Sequence, residues 1–196
     1  VIVVAISDVV PADQVWIEPP RPTSMQSDWY PRAIETLSGT VVQFDSEQLR
    51  FQTSGDAEEI VIAAARVLWI EPTQVADLEA DALRLFASGE YSSSLLKLPE
   101  ILAAKPPVWR QQWITMTAAV AAWKSGRADI SLELVSQLDR RPLPPVAIAW
   151  LPIAWTNRPQ PANVVDAANE RLADPSPVVR LVAASWLLSS PQRNQA

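Results

Sequence analysis

The chain predicts an α+β protein in two segregated parts, strands first and helices after. Three observations carry this. Residues 13–72 hold short runs of alternating character separated by polar, Gly-containing turns, the period of a half-buried sheet. Past Thr73 the apolar period changes from two to 3.6, the spacing of amphipathic helices. Between the two, Pro72 has no amide hydrogen to continue a ladder and marks the boundary.

Within the first part, residues 13–17 (DQVWI) supply a first strand. Residues 39–44 (GTVVQF) and 49–53 (LRFQT) alternate on either side of the turn 45–48 (DSEQ), and 54–56 (SGD) makes the next turn. Residues 60–62 (IVI) form a further run. A single helical turn over 63–66 (AAAR) precedes the last strand, 67–70 (VLWI). Residues 18–32, with Pro19, Pro20, Pro22 and Pro31, read as an extended loop between the first two strands. Five short strands with a helical turn before the last resemble a small SH3-like or Sm-like domain, which implies a β-barrel-like N-terminal unit over residues 13–72.

From Thr73 onward, Thr73 or Asp77 can cap a first helix whose face carries Leu78, Ala82 and Leu85, with Phe86 beside them. A second helix carries Leu95, Leu98 and Leu102. Pro99 withdraws a hydrogen bond from the Leu95 carbonyl, so its second half is expected to be displaced. The third helix has the clearest stripe, Trp109, Trp113, Met116, Val120 and Trp123, and is expected to bury it. Gly126 ends it, Asp129 can cap a fourth, and Ile130, Leu134 and Leu138 line that one. Residues 146–155 are nearly all apolar but contain Pro152, which predicts a bent or split helix. Two last helices near 162–173 and 177–189 lead to the polar tail 192–196.

Residues 89–106 (GEYSSSLLKLPEILAAKP) resemble the second half of a tetratricopeptide repeat, keeping the turn Gly89, the acid, the aromatic Tyr91, the apolar stripe and the closing Pro106. Gly126 follows about one repeat period later. The resemblance covers residues 77–142, with small Ala82 and Ala119 where paired helices approach. It departs at Ser94, Pro99, Arg127 and Ala128. Residues 172–187 (LADPSPVVRLVAASWL) resemble a HEAT repeat: Ser176 caps, Pro177 follows, and Val179, Ala183, Trp186 and Leu187 form the buried face. By that resemblance Asp174 and Arg180 tie neighbouring units together. Both imply an α-helical repeat domain, an α-solenoid, over residues 73–196 that presents a surface to a protein or peptide.

Composition narrows the function classes. The chain of 196 residues has no Cys and no His, which removes disulfides, thiolate metal sites, thiol nucleophiles and imidazole bases. The net charge of −6 lies in residues 13–72, whose ten acids face four bases. Residues 73–196 hold eleven acids and twelve bases, so neither part reads as a nucleic-acid surface. Residues 1–6 (VIVVAI) are too few to span a bilayer, which takes about 20. With the small-x-small pattern at 10–12 (VPA) they read as the end of an export leader, although Asp8 sits awkwardly there, or as an N-terminal strand. Export to the periplasm or cell envelope is expected on that basis, with a cytoplasmic location as the alternative.

Nine Trp invite a ligand-cage reading, but helical spacing assigns most of them to the core. Trp29 and Tyr30, in the Pro-rich loop, are the best exposed-aromatic candidates. Arg110, Lys124 and Arg127 are candidate groove contacts for a partner, although they do not fall where tetratricopeptide domains grip a peptide carboxylate. Ser92, Ser93 and Ser94 with Lys97 read as a polar first helical turn rather than a catalytic dyad. Glu58, Glu59, Asp77, Glu79 and Asp81 read as solvated acidic surface, and Arg140 and Arg141 as cations at a helix end. The expectation is a noncatalytic interaction module with no cofactor. RNA binding through an Sm-like domain, and an accessory piece of a larger enzyme, are the alternatives.

Overall fold

Alternating side chains wrap the first part of the molecule around one buried face. The computed structural model describes residues 12–20, 33–55, 58–73, 75–154 and 158–188. Strands β1 (Asp13–Ile17), β2 (Glu35–Phe44), β3 (Gln48–Thr53), β4 (Glu59–Ala63) and β5 (Val67–Glu71) pair antiparallel in the order β4-β3-β2-β1-β5. Val15, Ile17, Leu49, Phe51, Ile62 and Ile70 share the core, as period two demands. The expected helical turn before the last strand is a 3-10 turn, Ala64–Arg66.

The sheet is not the closed barrel that the strand pattern suggested. β4 and β5 do not pair, so both remain edges and the sheet is open. Its core is covered from the helical part instead, by Trp109 and Val146. β2 also begins earlier than the apolar alternation showed, at Glu35, because its first residues are exposed and leave no pattern to read. At Gly39 a Cβ would collide with the Gln52 carbonyl and the Phe51 ring, so only glycine lets β2 and β3 close there.

Seven helices follow: α1 (Asp77–Ala87), α2 (Tyr91–Ala103), α3 (Val108–Lys124), α4 (Ala128–Leu138), α5 (Pro145–Ile148), α6 (Ala162–Arg171) and α7 (Pro177–Leu187). α1 packs on α2, α2 on α3, α3 on α4, and α4 on both α6 and α7. The α1–α2 and α3–α4 hairpins repeat one set of bonds 37 residues apart. Gly89 and Gly126 take left-handed φ of 83° and 80°, where a side chain would be strained. Their amides donate to the Phe86 and Trp123 carbonyls at 3.1 and 3.0 Å. The buried Ser94 hydroxyl donates to the Ala82 carbonyl at 2.8 Å, and Ser131 to Ala119 at 2.7 Å. Ser94, a departure from the tetratricopeptide pattern, is thus a helix-to-helix tie with a counterpart one hairpin later. Tyr91 packs edge-on against Phe86 over the first turn, with ring centres 5.5 Å apart.

Several local expectations change. Ala76 and Arg127, not Thr73, Asp77 or Asp129, are the N-caps of α1 and α4, and neither cap makes a side-chain bond. Asp77 and Asp129 fall in the first turns, where the helix dipole favours an acid. α2 runs through Pro99 to Ala103, because that residue lies on its exposed side. α4 buries Ala128, Ser131, Leu132, Val135 and Leu138, while Ile130 and Leu134 are half-buried. The Ser131 tie turns that side toward α3. The bent helix expected over 146–155 is one short helix, α5, followed by a non-helical strap over residues 151–154. Trp155, residues 1–11 and 21–32 and the tail 192–196 lie outside the described residues.

At the far end Ser176 caps α7 as expected, accepting from the Val179 amide at 3.0 Å with Pro177 behind it. Val179, Ala183, Trp186 and Leu187 are all fully buried. Asp174 and Arg180 close the α6–α7 turn rather than joining units. Asp174 accepts from the Ser176 amide at 2.9 Å and pairs with Arg171 at 2.9 Å, and Arg180 donates to the Asp174 and Pro175 carbonyls. Ties to the neighbouring hairpin come from the Ser176 hydroxyl, donating to Asp139 at 2.6 Å, from the Asn163 side chain, donating to the Gly126 carbonyl at 2.6 Å, and from Arg171, 3.8 Å from Glu133.

Ser94→Ala and Ser131→Ala are each expected to cost about 1–2 kcal/mol, read from denaturant midpoints. An unchanged midpoint in either would show that the ties do not hold the hairpins. The Ser176 amide, and after it the Arg171 guanidinium, hold the Asp174 carboxyl below its ordinary 3.8. A lowered carboxyl stabilises the fold above its ordinary pKa and loses that contribution as pH falls through the folded value. Asp174→Asn should therefore lower the melting temperature at pH 7 and flatten its fall between about pH 5 and pH 3.

Candidate functional site

α3 buries most of its small side chains together with Trp109, Ile114 and Met116. Ala118, Ala119, Ala121 and Ala122 are buried, so helix backbones approach it closely there. The stripe that periodicity assigned to the core faces elsewhere. Of its members Trp109 and Met116 are buried, whereas Trp113, Val120 and Trp123 are only half-buried. They form one wall of a cleft of about 1030 Å³. The end of β5 with Pro72 lines it on one side, Leu83 and Phe86 of α1 on another, and Trp150 with Ile153 of the strap on a third.

Aromatic rings dominate both ends. Trp69, Trp113 and Trp150 form a triangle with ring centres 5.1, 4.3 and 5.2 Å apart, and Trp150 is still 39% exposed. At the other end Trp123 stacks on the buried Trp186, with centres 5.6 Å apart and planes 10° from parallel. Trp123 also donates through its indole nitrogen to Gln160 at 3.3 Å. Lys124 Nζ lies 4.0 Å from the Trp123 ring centre, a cation held on an aromatic face. The lining is mostly apolar with few polar groups, the general character of binding cavities.

The candidates read from sequence separate in space. Lys124 is on the cleft wall. Arg110 is not a groove contact: it is buried, with side-chain exposures of 11% for it and 6% for Glu79. Its Nε donates to the two Glu79 carboxylate oxygens at 3.1 and 3.3 Å, and Nη2 lies 3.0 Å from Oε1. Glu79 is accordingly no part of a solvated acidic surface. Arg127 is exposed at the α4 N-cap and does not line the cleft. Trp29 and Tyr30 lie outside the described residues. Trp69, Phe86 and Trp150 are the site residues that sequence reasoning missed. Trp69 reads as a strand residue and Trp150 as part of an apolar run, and only tertiary packing brings them to α3.

Other polar clusters are engaged internally. Ser94 bonds to Ala82, and Lys97 pairs with Asp81 at 2.9 Å. Arg84 also bonds Asp81 at 2.5 Å, and Glu59 pairs with Arg50. Lys97 first, then Arg84, hold the Asp81 carboxyl below its usual range. Among the described residues no group of acids could hold a metal ion, and no helix is long and apolar enough to cross a membrane. Set against protein-family models, curated proteins and solved structures, the chain matches none.

Because Glu79 and Arg110 share a largely buried site at the cleft wall, losing one leaves the other's charge uncompensated. Glu79→Gln or Arg110→Met should each cost about 3–5 kcal/mol, and Glu79→Leu with Arg110→Met should restore most of it. Denaturation of the four proteins checks this, and two mild single losses would contradict it.

Proposed function

We propose that this chain is a noncatalytic docking module that seats a protein or peptide segment along its helical side, in the cleft between α1 and α3. One observation carries the proposal. Large aromatic and aliphatic side chains that periodicity assigns to a core line a surface left open to solvent, with Trp150 39% exposed in their midst. Apolar surface of that extent costs free energy in water and is regained by a partner that covers it. An amphipathic helix or an extended segment fits such a groove, apolar side chains inward.

The recurrence of one hairpin structure 37 residues on supports reading the helical part as a short tetratricopeptide-like and HEAT-like repeat array. Such arrays carry their partners on surfaces made by successive units. Lys124 gives the cleft one cation at its end, which favours a partner with an acid near that position. Arg110 is part of the scaffold in this reading.

Selection of peptides on the immobilised full chain, followed by calorimetric titration, tests the proposal. Selected peptides should be rich in aliphatic and aromatic residues. Val120→Asp should weaken them by tenfold or more, roughly the loss of one hot-spot contact, without changing the melting temperature by more than a few degrees. Peptides indifferent to Val120→Asp, or none selected, would end this assignment of the cleft.

A further inference from the structure

We infer that the partner segment binds in extended form, pairing its backbone with the free edge of β5, with a base at the Glu71 end and an acid at the Lys124 end. This rests on the cleft as a docking seat and names the shape and chemistry of what it takes.

The backbone of β5 carries the first step. Trp69, Ile70, Glu71 and Pro72 are consecutive, and all four line the cleft. A strand turns successive side chains to opposite faces, so the cleft fronts the edge of β5 and not one of its faces. β5 pairs with β1 alone, and among the described residues nothing bonds the amides and carbonyls of residues 68–71 that point away from β1. Such a row of groups is a template for a further strand. A helix satisfies its backbone within itself and has no use for them, whereas an extended segment does.

Charge carries the second step. Glu71 and Lys124 are exposed, line the cleft and have no ion-pair partner among the described residues. Glu79, also on the cleft wall, is already neutralised by Arg110. The two free charges stand toward opposite ends. Glu71 is two residues past Trp69, whose ring meets Trp113, and Lys124 stands eleven residues beyond Trp113, about 16 Å along α3. Adding about 7 Å for those two residues of β5, at most about seven residues of extended chain separate the two charges. Phe86, Val120 and the Trp residues between them favour apolar side chains in the middle of the segment.

Peptides selected on the immobilised full chain test this by composition and by backbone chemistry. They should carry Lys or Arg within about seven residues of Asp or Glu, with aliphatic or aromatic residues between. In the best binder each amide is replaced in turn by an ester, which removes one N–H donor and keeps an extended shape. Alternate esters should weaken the titrated affinity fivefold or more, and those between by less than twofold, the period of a strand. Lys124→Glu and Glu71→Lys should each weaken the binder about tenfold at low salt, and reversing the facing peptide charge should recover most of that. Ester losses without alternation, helix gained on binding, or charge reversals that do not compensate would each overturn the extended seat. If those peptides still lose affinity with Val120→Asp, the cleft survives as a docking site and only its occupant changes. Peptides indifferent to Val120→Asp would remove the cleft and this inference with it. A dimer in sedimentation that the binder does not dissociate would give the β5 edge to a second copy, and would also overturn it.

Discussion

Two successive residues at the start of α3 set the geometry of everything around it. Trp109 and Arg110 point about 100° apart because a helix turns by that much per residue. Trp109 goes into the open face of the sheet and completes its core, and Arg110 reaches Glu79 on α1. The first contact fixes α3 against the strands, and the second fixes α1 against α3. A buried ion pair contributes little net stability, since desolvation offsets most of the attraction. What it does contribute is position: a carboxylate and a guanidinium meet at hydrogen-bond distance in few arrangements, whereas apolar contacts tolerate sliding. The separation of α1 from α3, and so the width of the cleft, depends on that pair.

The sheet pays at this junction for its openness. Trp109 fills the volume that a closing β4–β5 pair would otherwise cover, yet its indole N–H has no acceptor among the described residues. An unbonded buried donor costs about 1–3 kcal/mol. A residue kept at such a cost is there for its volume, which means that the strands depend on the helices for their core. The two parts are segregated along the chain and joined in their packing.

Much of this was legible. The strand runs follow from alternating stretches bounded by polar turns, although not the β1–β5 pairing that leaves the sheet open, and the α1–α2 and α3–α4 turns follow from Gly89 and Gly126, where backbone geometry leaves little choice of residue. Ser176 and Pro177 announced α7 for the same local reason. What escaped depends on contacts distant in sequence. Periodicity shows that Trp113, Val120 and Trp123 share a face of α3, but a buried face and a groove wall have the same period. Which of the two it is depends on how many elements cover it, and that was decided by α5 ending after Ile148. Arg110 escaped because nothing beside it in sequence marks it as buried; Glu79 lies 31 residues away.

The strap over residues 151–154 shows why the groove stays open. The strap, with Pro152 in it, is not helical, and its backbone bonds to α7. The Trp186 indole donates to the Pro152 carbonyl at 2.6 Å, and the Ser185 hydroxyl accepts from the Ala154 amide at 3.1 Å. Both partners are buried in the last hairpin, so the strap is held from below while Trp150 and Ile153 project into the cleft. Trp186 at the same time stacks beneath Trp123. One fully buried indole thus fixes the strap by its nitrogen and the far end of the α3 stripe by its face. The floor of the cleft is therefore packed on the buried core of the final hairpin, and a partner of the proposed kind would meet a surface already formed.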